Sequence, residues 1–139
     1  MAFFRTAAAL ALTIALTSCG GSEPKSSTPA PAAGDTLASA CPEVMELLKQ
    51  GADGMAKADK DKNYTDPTYL GDLDSVVKRL EEIGTGIVTE EDAALIQNLA
   101  SGFSSILEEQ TNGQDVSPNT VSTFSAAVKE LSTACVKAL

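Results

Sequence analysis

The chain has 139 residues, with 19 aspartates and glutamates against 10 lysines and arginines, and it contains no histidine. This length suits one ordinary domain, and the net charge of −9 disfavours nucleic acid as a partner because both surfaces are anionic. The absence of histidine excludes Ser–His–Asp triads, Cys–His dyads, HExxH zinc sites and the Glu-x-x-His di-iron site of helical bundles, and it removes the commonest haem ligand. We therefore expect a protein that is not an enzyme and carries no cofactor.

The beginning of the chain has the organisation of an export signal. Arg5 supplies a positive charge, and the apolar run 6–16 that follows is shorter than the roughly 20 residues that span a bilayer. The motif Leu-Thr-Ser-Cys then ends at Cys19. This motif resembles the lipobox of bacterial lipoproteins, which has an aliphatic residue, two small residues and then the modified cysteine. The resemblance covers residues 1–19 and implies a signal peptide over 1–18, cleavage before Cys19, and lipidation of its thiol with a diacylglyceryl group.

Lipidation predicts the location of the protein. Two or three acyl chains hold a protein on a membrane far more firmly than one, at about 0.8 kcal/mol per buried methylene. We expect a lipid-anchored protein on the extracytoplasmic side of the cell membrane. In a Gram-negative cell the outer membrane is favoured, because Gly20 stands where an aspartate often signals retention at the inner membrane.

A linker is predicted between the anchor and the folded domain, over residues 19–38. Residues 20–35 hold three prolines, three glycines and no large apolar side chain. Such a segment buries too little surface to offset its ordering entropy, so we expect it to stay disordered. Extended like polyproline, about 18 residues at roughly 3.1 Å each would reach on the order of 55 Å from the membrane.

Residues 39–139 are predicted to form four amphipathic helices. The first is expected to begin near Cys41, with Pro42 at the first helical position, and to end in the polar run 59–63. Within it, Gly51 and Gly54 either permit close contact between helices or mark a bend.

The other three helices have clear start and stop signals. Asp66 and Ser117 each precede a proline and are expected to be N-caps of the second and fourth helices. The second helix is expected to stop in the glycine-containing run 84–86, and the third at 112–113. The third should begin at Thr89, in a sequence that resembles a capping box with aspartate in place of glutamate.

The apolar residues of these segments recur at helical spacing and are expected to form the core of an all-α, antiparallel up-down four-helix bundle. They are Val44, Leu47, Leu48, Met55 and Ala58 in the first helix, Leu70, Leu73, Val76, Val77, Leu80 and Ile83 in the second, Leu95, Ile96, Leu99, Phe103, Ile106 and Leu107 in the third, and Val121, Phe124, Val128, Leu131, Cys135 and Leu139 in the fourth.

The two cysteines that remain after lipidation support this topology. An exported protein meets an oxidising compartment, where Cys41 and Cys135 can pair. In an up-down-up-down bundle the start of the first helix and the end of the fourth lie at the same end, whereas three helices would separate them. We therefore predict a Cys41–Cys135 disulfide. The alternatives are two free thiols or a redox pair, although the chain has no CxxC motif.

One sequence pattern suggests metal binding. Asp59, Asp61 and Asn63 place oxygen ligands at alternate positions, as an EF-hand calcium loop begins. The pattern then fails, because Tyr64 stands where glycine is needed and Leu70 where a bidentate glutamate belongs. These residues are a weak metal candidate, and a solvated helix end is the simpler interpretation.

The leading functional prediction is a surface-tethered, non-catalytic binding or interaction module, with the membrane and an envelope protein as partners. The alternative is a small-ligand or metal-ion carrier at the cell surface. A third alternative is an enzyme that uses carboxylates or tyrosine. An enzyme of this kind is disfavoured because the chain's pairs of acidic residues, such as Glu81 and Glu82, are adjacent in sequence. Neighbours on a helix point in different directions, so their carboxylates do not converge on one site.

Overall fold

The computed structural model describes residues 34–139. The predicted signal peptide, Cys19 and most of the predicted linker lie outside the described residues. Four helices follow one another: α1 spans Leu37–Asp61, α2 Pro67–Gly86, α3 Glu90–Thr111 and α4 Pro118–Ala138. The described part of the chain contains no strand beyond an isolated bridge between Asp35 and Ile87. The predicted all-α fold with four helices is confirmed.

The helices pack as an antiparallel bundle with short connections. Each helix contacts the next in the chain, α4 returns to contact α1, and the α2–α3 pair has the most extensive contact. The disulfide between Cys41 and Cys135 is present, with the two Cα atoms 5.7 Å apart. Both cysteines are buried. We call the end of the bundle that holds this bond the disulfide end, and the opposite end, where α1 leads into α2, the distal end.

The start of α1 differs from the prediction. The helix begins at Leu37 instead of near Cys41, and Pro42 lies inside it with its side chain exposed. Thr36 is the N-cap, and it forms a capping box with Ser39, in which each side chain bonds the other residue's backbone N–H. Serine replaces the usual glutamate or glutamine of that motif. Pro42 is the sixth residue of α1, so the helix lacks the hydrogen bond that an N–H at this position would donate to the Ala38 carbonyl.

The segment before α1 is hydrogen-bonded to the end of α2 and to the loop that follows it. The Gly34 N–H donates to the Gly86 carbonyl at 3.2 Å, and the Val88 N–H donates to the Asp35 carbonyl at 3.0 Å. Residues 34–38 therefore belong to the folded domain, although the sequence assigned them to the linker. The chain enters the bundle at the disulfide end.

The predicted caps are mostly correct. The Asp66 carboxylate accepts from the backbone N–H groups of Thr68 and Tyr69, and Ser117 accepts from the Thr120 N–H. Thr89 occupies the N-cap position of α3 as expected, but its side chain makes no capping hydrogen bond. The predicted capping box at that helix is therefore wrong, and three acidic residues in the first turn of α3 supply the favourable interaction with the helix dipole.

Most of the predicted core residues are buried. Phe103, Leu80, Ile83, Ile96, Leu99, Leu131 and Val44 are among the most completely buried side chains. Leu47, Leu48, Met55, Leu70, Leu95, Leu107, Phe124 and Val128 pack against the core but stay partly exposed. The prediction is wrong for Val121 and Leu139, which are 49% and 85% exposed. Val121 lies in the first turn of α4, and Leu139 lies beyond the last residue of that helix.

Gly51 permits close contact between helices, which was one of the two interpretations of the sequence. A Cβ atom at Gly51 would lie 2.5 Å from the ring of Phe103, a fully buried side chain of α3. We expect Gly51→Ala to lower the free energy of unfolding by about 1 to 3 kcal/mol, because the core cannot accept the added methyl group without shifting.

The matched control is Gly71→Ala on α2, where the added Cβ meets nothing within 4 Å. It should raise the free energy of unfolding by up to about 1 kcal/mol through helix propensity. Urea unfolding of both variants measures the contrast. Equal stabilisation by the two substitutions would contradict the close contact between Gly51 and Phe103.

Candidate functional site

A concave surface at the distal end lies between α1 and α2. It has a volume of about 260 Å³ and is lined by residues that include Gly54, Lys57, Asp61, Asp66, Tyr69 and Asp72. A second hollow of about 480 Å³ continues it along the same two helices and shares Gly54, Lys57, Tyr69 and Asp72 with it. We call the two together the distal groove. Its charged lining residues are four aspartates, at positions 53, 61, 66 and 72, and one lysine, Lys57.

The structure separates the three residues of the weak metal candidate. Asp61 and Asn63 line the distal groove. Asp59 instead accepts hydrogen bonds from Lys62, at 2.9 Å, and from the Tyr64 hydroxyl. In the described range 34–139, no group of three or more acidic, cysteine or histidine side chains is placed to hold a metal ion. Asp59 and Asp61 are two positions apart on α1 and so do not face each other, and Asn63 lies beyond the end of the helix.

The Asp59 contacts close the end of α1. Lys62 is the C-cap and adopts a left-handed conformation with φ of 51°, and its N–H donates to the carbonyls of Ala58 and Asp59. The hydrogen bond from Tyr64, followed by that from Lys62, lowers the pKa of Asp59, and the same contact with Asp59 raises the pKa of Tyr64. The side chains of Asp59, Lys62 and Tyr64 therefore form a hydrogen-bonded cap at the C-terminal end of α1.

Behind the groove, a buried polar pair joins α2 to α3. The Tyr69 hydroxyl donates to Gln110 Oε1 at 2.6 Å, and both residues are buried. Burial raises the pKa of Tyr69, which keeps the phenol protonated as the donor. Gln110 was not predicted as a core residue, although it follows Phe103 and Ile106 at helical spacing and so continues the core stripe of α3.

Two further sets of polar contacts join different helices of the bundle. Arg79 of α2 donates from Nε to Glu43 of α1 at 2.6 Å and from Nη1 to Glu82 at 3.0 Å. At the distal end, Glu109 of α3 accepts from the Ser117 backbone N–H at 2.9 Å and from the Thr120 hydroxyl at 2.8 Å. Glu109 therefore extends the N-cap of α4 with a carboxylate from a neighbouring helix.

The contacts of Glu109 predict a pH dependence of stability. The backbone hydrogen bond from Ser117, followed by that from the Thr120 hydroxyl, lowers the pKa of Glu109 from its ordinary value of 4.5. Because the folded-state pKa is the lower one, this stabilisation is present above the unfolded-state value and is lost as the pH falls through the folded-state value. We expect Glu109→Gln to weaken the loss of stability in acid, measured by urea unfolding from about pH 6 to about pH 3.

Glu108→Gln is the control for this prediction, since it makes the same change of charge at the adjacent, exposed position. A Glu109→Gln protein with the same acid dependence as Glu108→Gln would show that the hydrogen bonds of Glu109 do not favour its charged form.

The distal groove can attract small cations and cationic groups, because several carboxylates in a concavity raise their local concentration. None of the helices within residues 34–139 is both long and apolar enough to cross a membrane. Compared with protein-family models, with curated proteins and with solved structures, the chain has no match.

Proposed function

We propose that the protein is an extracytoplasmic lipoprotein, anchored through Cys19, that acts as a non-catalytic binding module. The observation that supports this proposal is that the chain enters the bundle at one end and leaves the opposite end far from the predicted anchor. The segment from the predicted anchor enters at the disulfide end, where Gly34 and Asp35 are fastened to the loop between α2 and α3. The distal end lies the length of α1 away, which for its 25 residues is about 37 Å.

This arrangement suits a tethered domain. The end at which the chain enters the bundle is closed by a disulfide and by the hydrogen-bonded segment 34–36. The sides and the distal end of the bundle are then free to meet molecules of the envelope. An acidic chain stays soluble next to anionic lipid head groups because they repel it.

The anchoring half of the proposal is tested by metabolic labelling with an alkyne fatty acid in cells that express the full chain. We expect the wild-type protein to take up the label and Cys19→Ala to take up none. The matched control is Cys41→Ala/Cys135→Ala, which removes the other two cysteines and should be labelled like the wild type. Labelling that persists in Cys19→Ala, or that is absent from the wild type, would refute lipidation at this residue.

The distal groove favours a second candidate function, a carrier of a small cationic ligand or a metal ion. Its volume of about 260 Å³ and the presence of Asp61, Asp66 and Asp72 in its lining are the observations that support it. Native mass spectrometry of gently purified protein should then find an added mass that disappears in Asp61→Asn/Asp72→Asn and persists in Glu108→Gln. The same added mass in all three proteins, or none in any, would count against this candidate.

A further inference from the structure

A further hollow lies at the distal end, between the loop that follows α1 and the loop that joins α3 to α4. It has a volume of about 160 Å³ and is lined by Tyr64, Gln110, Gln114, Asp115 and Val116. None of these five residues lines the distal groove. The two concavities are therefore separate, and we call this one the Gln110 hollow.

The end of α3 holds one wall of the Gln110 hollow in place. The Gly113 N–H donates to the Gln110 carbonyl at 2.9 Å, and the Gln114 N–H donates to the Glu109 carbonyl at 2.8 Å. With Gly113 in a left-handed conformation, φ of 70°, these two bonds form a Schellman motif, which reverses the chain at a helix end. The Glu109 carboxylate then accepts from the Ser117 N–H, so both ends of this wall are bonded to the last turn of α3.

The floor of the hollow is a buried amide with a donor to spare. Gln110 is 4% exposed, and its Oε1 accepts from the Tyr69 hydroxyl at 2.6 Å. Its Nε2, which carries two N–H groups, has no hydrogen-bond partner among residues 34–139. Every fully buried side-chain nitrogen or oxygen in this range has a partner. Nε2 is therefore in contact with solvent, and the hollow that Gln110 lines is where that contact occurs.

Tyr69 fixes which end of the amide faces the hollow. Burial raises the pKa of Tyr69, so the phenol keeps its proton and needs an acceptor. Within the described range 34–139, Gln110 Oε1 is the acceptor that it has. A half-turn of the amide would leave the phenol proton unpaired, which is costly for a buried donor. The amide NH₂ group is thus held toward the hollow before any ligand arrives.

The other lining residues supply a negative charge and apolar walls. The Asp115 side chain is exposed, at the mouth of the hollow, and takes part in no ion pair within residues 34–139. Tyr64 and Val116 are partly buried and pack against the core. The Tyr64 hydroxyl donates to Asp59, which holds its ring at one side. The hollow therefore combines an N–H donor at its floor with a carboxylate at its mouth.

We propose that the Gln110 hollow binds a small α-amino carbonyl compound, whose carbonyl oxygen accepts from Gln110 Nε2 and whose ammonium group pairs with Asp115. Free amino acids and the N-terminal residues of peptides both carry this chemical unit. This assignment rests on the proposed function as a binding module, and it gives that module a site and a ligand class. The distal groove plays no part in it.

Size and charge favour this class over other ligands. A cavity of about 150 Å³ holds benzene, so a hollow of this volume suits about six non-hydrogen atoms, as in alaninamide. A purely apolar ligand would leave the Gln110 donor unpaired. An anion would be repelled by Asp115 and by the net charge of −9. A calcium or magnesium ion needs oxygen ligands, whereas the buried amide presents N–H groups.

The test is saturation-transfer NMR with the lipidated full chain in nanodiscs of neutral lipid, and empty nanodiscs are the blank. Alaninamide carries both recognised groups, and we expect its binding to saturate. N-acetylalaninamide lacks the ammonium group and isopropylamine lacks the carbonyl. Each should bind about tenfold more weakly, because one hydrogen bond is lost. Binding of either partial probe as tightly as alaninamide would overturn the proposal.

The contact with the ammonium group is assigned by Asp115→Asn, which keeps the shape of the side chain and removes its charge. This variant should bind alaninamide about tenfold more weakly than the wild type. Asp92→Asn is the matched control, because it removes the same charge in the first turn of α3, at the disulfide end. It should leave binding unchanged.

The contact with the carbonyl is assigned by changing Gln110 and Tyr69 together. Tyr69→Phe/Gln110→Leu replaces both members of the buried pair by apolar side chains, so neither is left without its partner. The double variant should bind alaninamide about tenfold more weakly. Gln97→Leu, at an exposed glutamine of α3, should not change binding. Circular dichroism checks that each variant is folded, and unchanged binding in the double variant or in Asp115→Asn would contradict the proposed contacts.

Two further measurements locate the ligand and identify its source. Asp61→Asn/Asp72→Asn alters only the distal groove, and loss of alaninamide binding there would overturn the proposal by placing the ligand in that groove. Tighter binding of free alanine than of alanyl-alaninamide would support the proposal with amino acids as the source, and the reverse order would support it with peptide N-termini. No saturation by any probe would show that the hollow holds water only and would overturn the proposal. Fatty-acid labelling of Cys19 does not involve this hollow, so the anchoring proposal is judged separately.

Discussion

Replacing Cys41 and Cys135 together by alanine is expected to lower the free energy of unfolding by about 4 to 5 kcal/mol in the chain-entropy description of disulfides. The bond joins residues that are 94 positions apart, so it constrains nearly the whole folded chain in the unfolded state. It also joins the start of α1 to the end of α4 through two buried side chains. Urea unfolding of the double variant beside the wild type measures the difference.

A reductant supplies the control for this prediction. It should lower the stability of the wild type to a value near that of the double variant and should leave the double variant unchanged. An oxidised wild type that is no more stable than the reduced one would contradict the prediction.

Phe103→Ala should lower the free energy of unfolding by about 3 to 5 kcal/mol, the usual cost of truncating a fully buried aromatic side chain. Phe103 lies where three helices meet. Its ring fills the space left by Gly51 on α1, and its centroid lies 4.7 Å from that of Phe124 on α4 in an edge-to-face arrangement. Removing the ring therefore leaves a cavity that neither the backbone of α1 nor that of α4 can easily close.

The comparison with Phe124→Ala separates burial from aromatic character. Phe124 is only partly buried and packs over Gly102, so its truncation should cost less than that of Phe103. Urea unfolding at one pH measures both variants. A larger effect at Phe124 than at Phe103 would contradict the assignment of Phe103 as the centre of the core.

Much of the fold could be predicted because local signals agree with the global arrangement. Proline after Asp66 and after Ser117 marks the starts of α2 and α4 where the structure has them. The Cys41–Cys135 disulfide was predicted correctly because, with four antiparallel helices, the start of the first and the end of the last lie at the same end of the bundle. The start of α1 was missed because the signal from Pro42 was preferred over a capping box that uses Ser39 in place of glutamate.

The surfaces of functional interest could be predicted only in part. Helical periodicity shows which side of a helix is apolar but not whether another helix covers it, and so Val121 was assigned to the core. The same limit applies to Asp59, Asp61 and Asn63. Their alternation in sequence suggests one ligand set, but the end of α1 directs Asp59 to Lys62 and Tyr64 and leaves the other two on the distal groove. The groove depends on how α1 and α2 are placed, which no local pattern encodes.

The central claim is that a disulfide-bonded bundle is held on a membrane through Cys19. Intact-mass spectrometry of the protein extracted from its native membrane, with and without reductant, tests this claim most directly. The account predicts a mass equal to residues 19–139 with attached acyl chains, which increases by two hydrogen atoms on reduction as the bond between Cys41 and Cys135 opens. An unmodified full-length chain with three free thiols would contradict both the anchor and the bond.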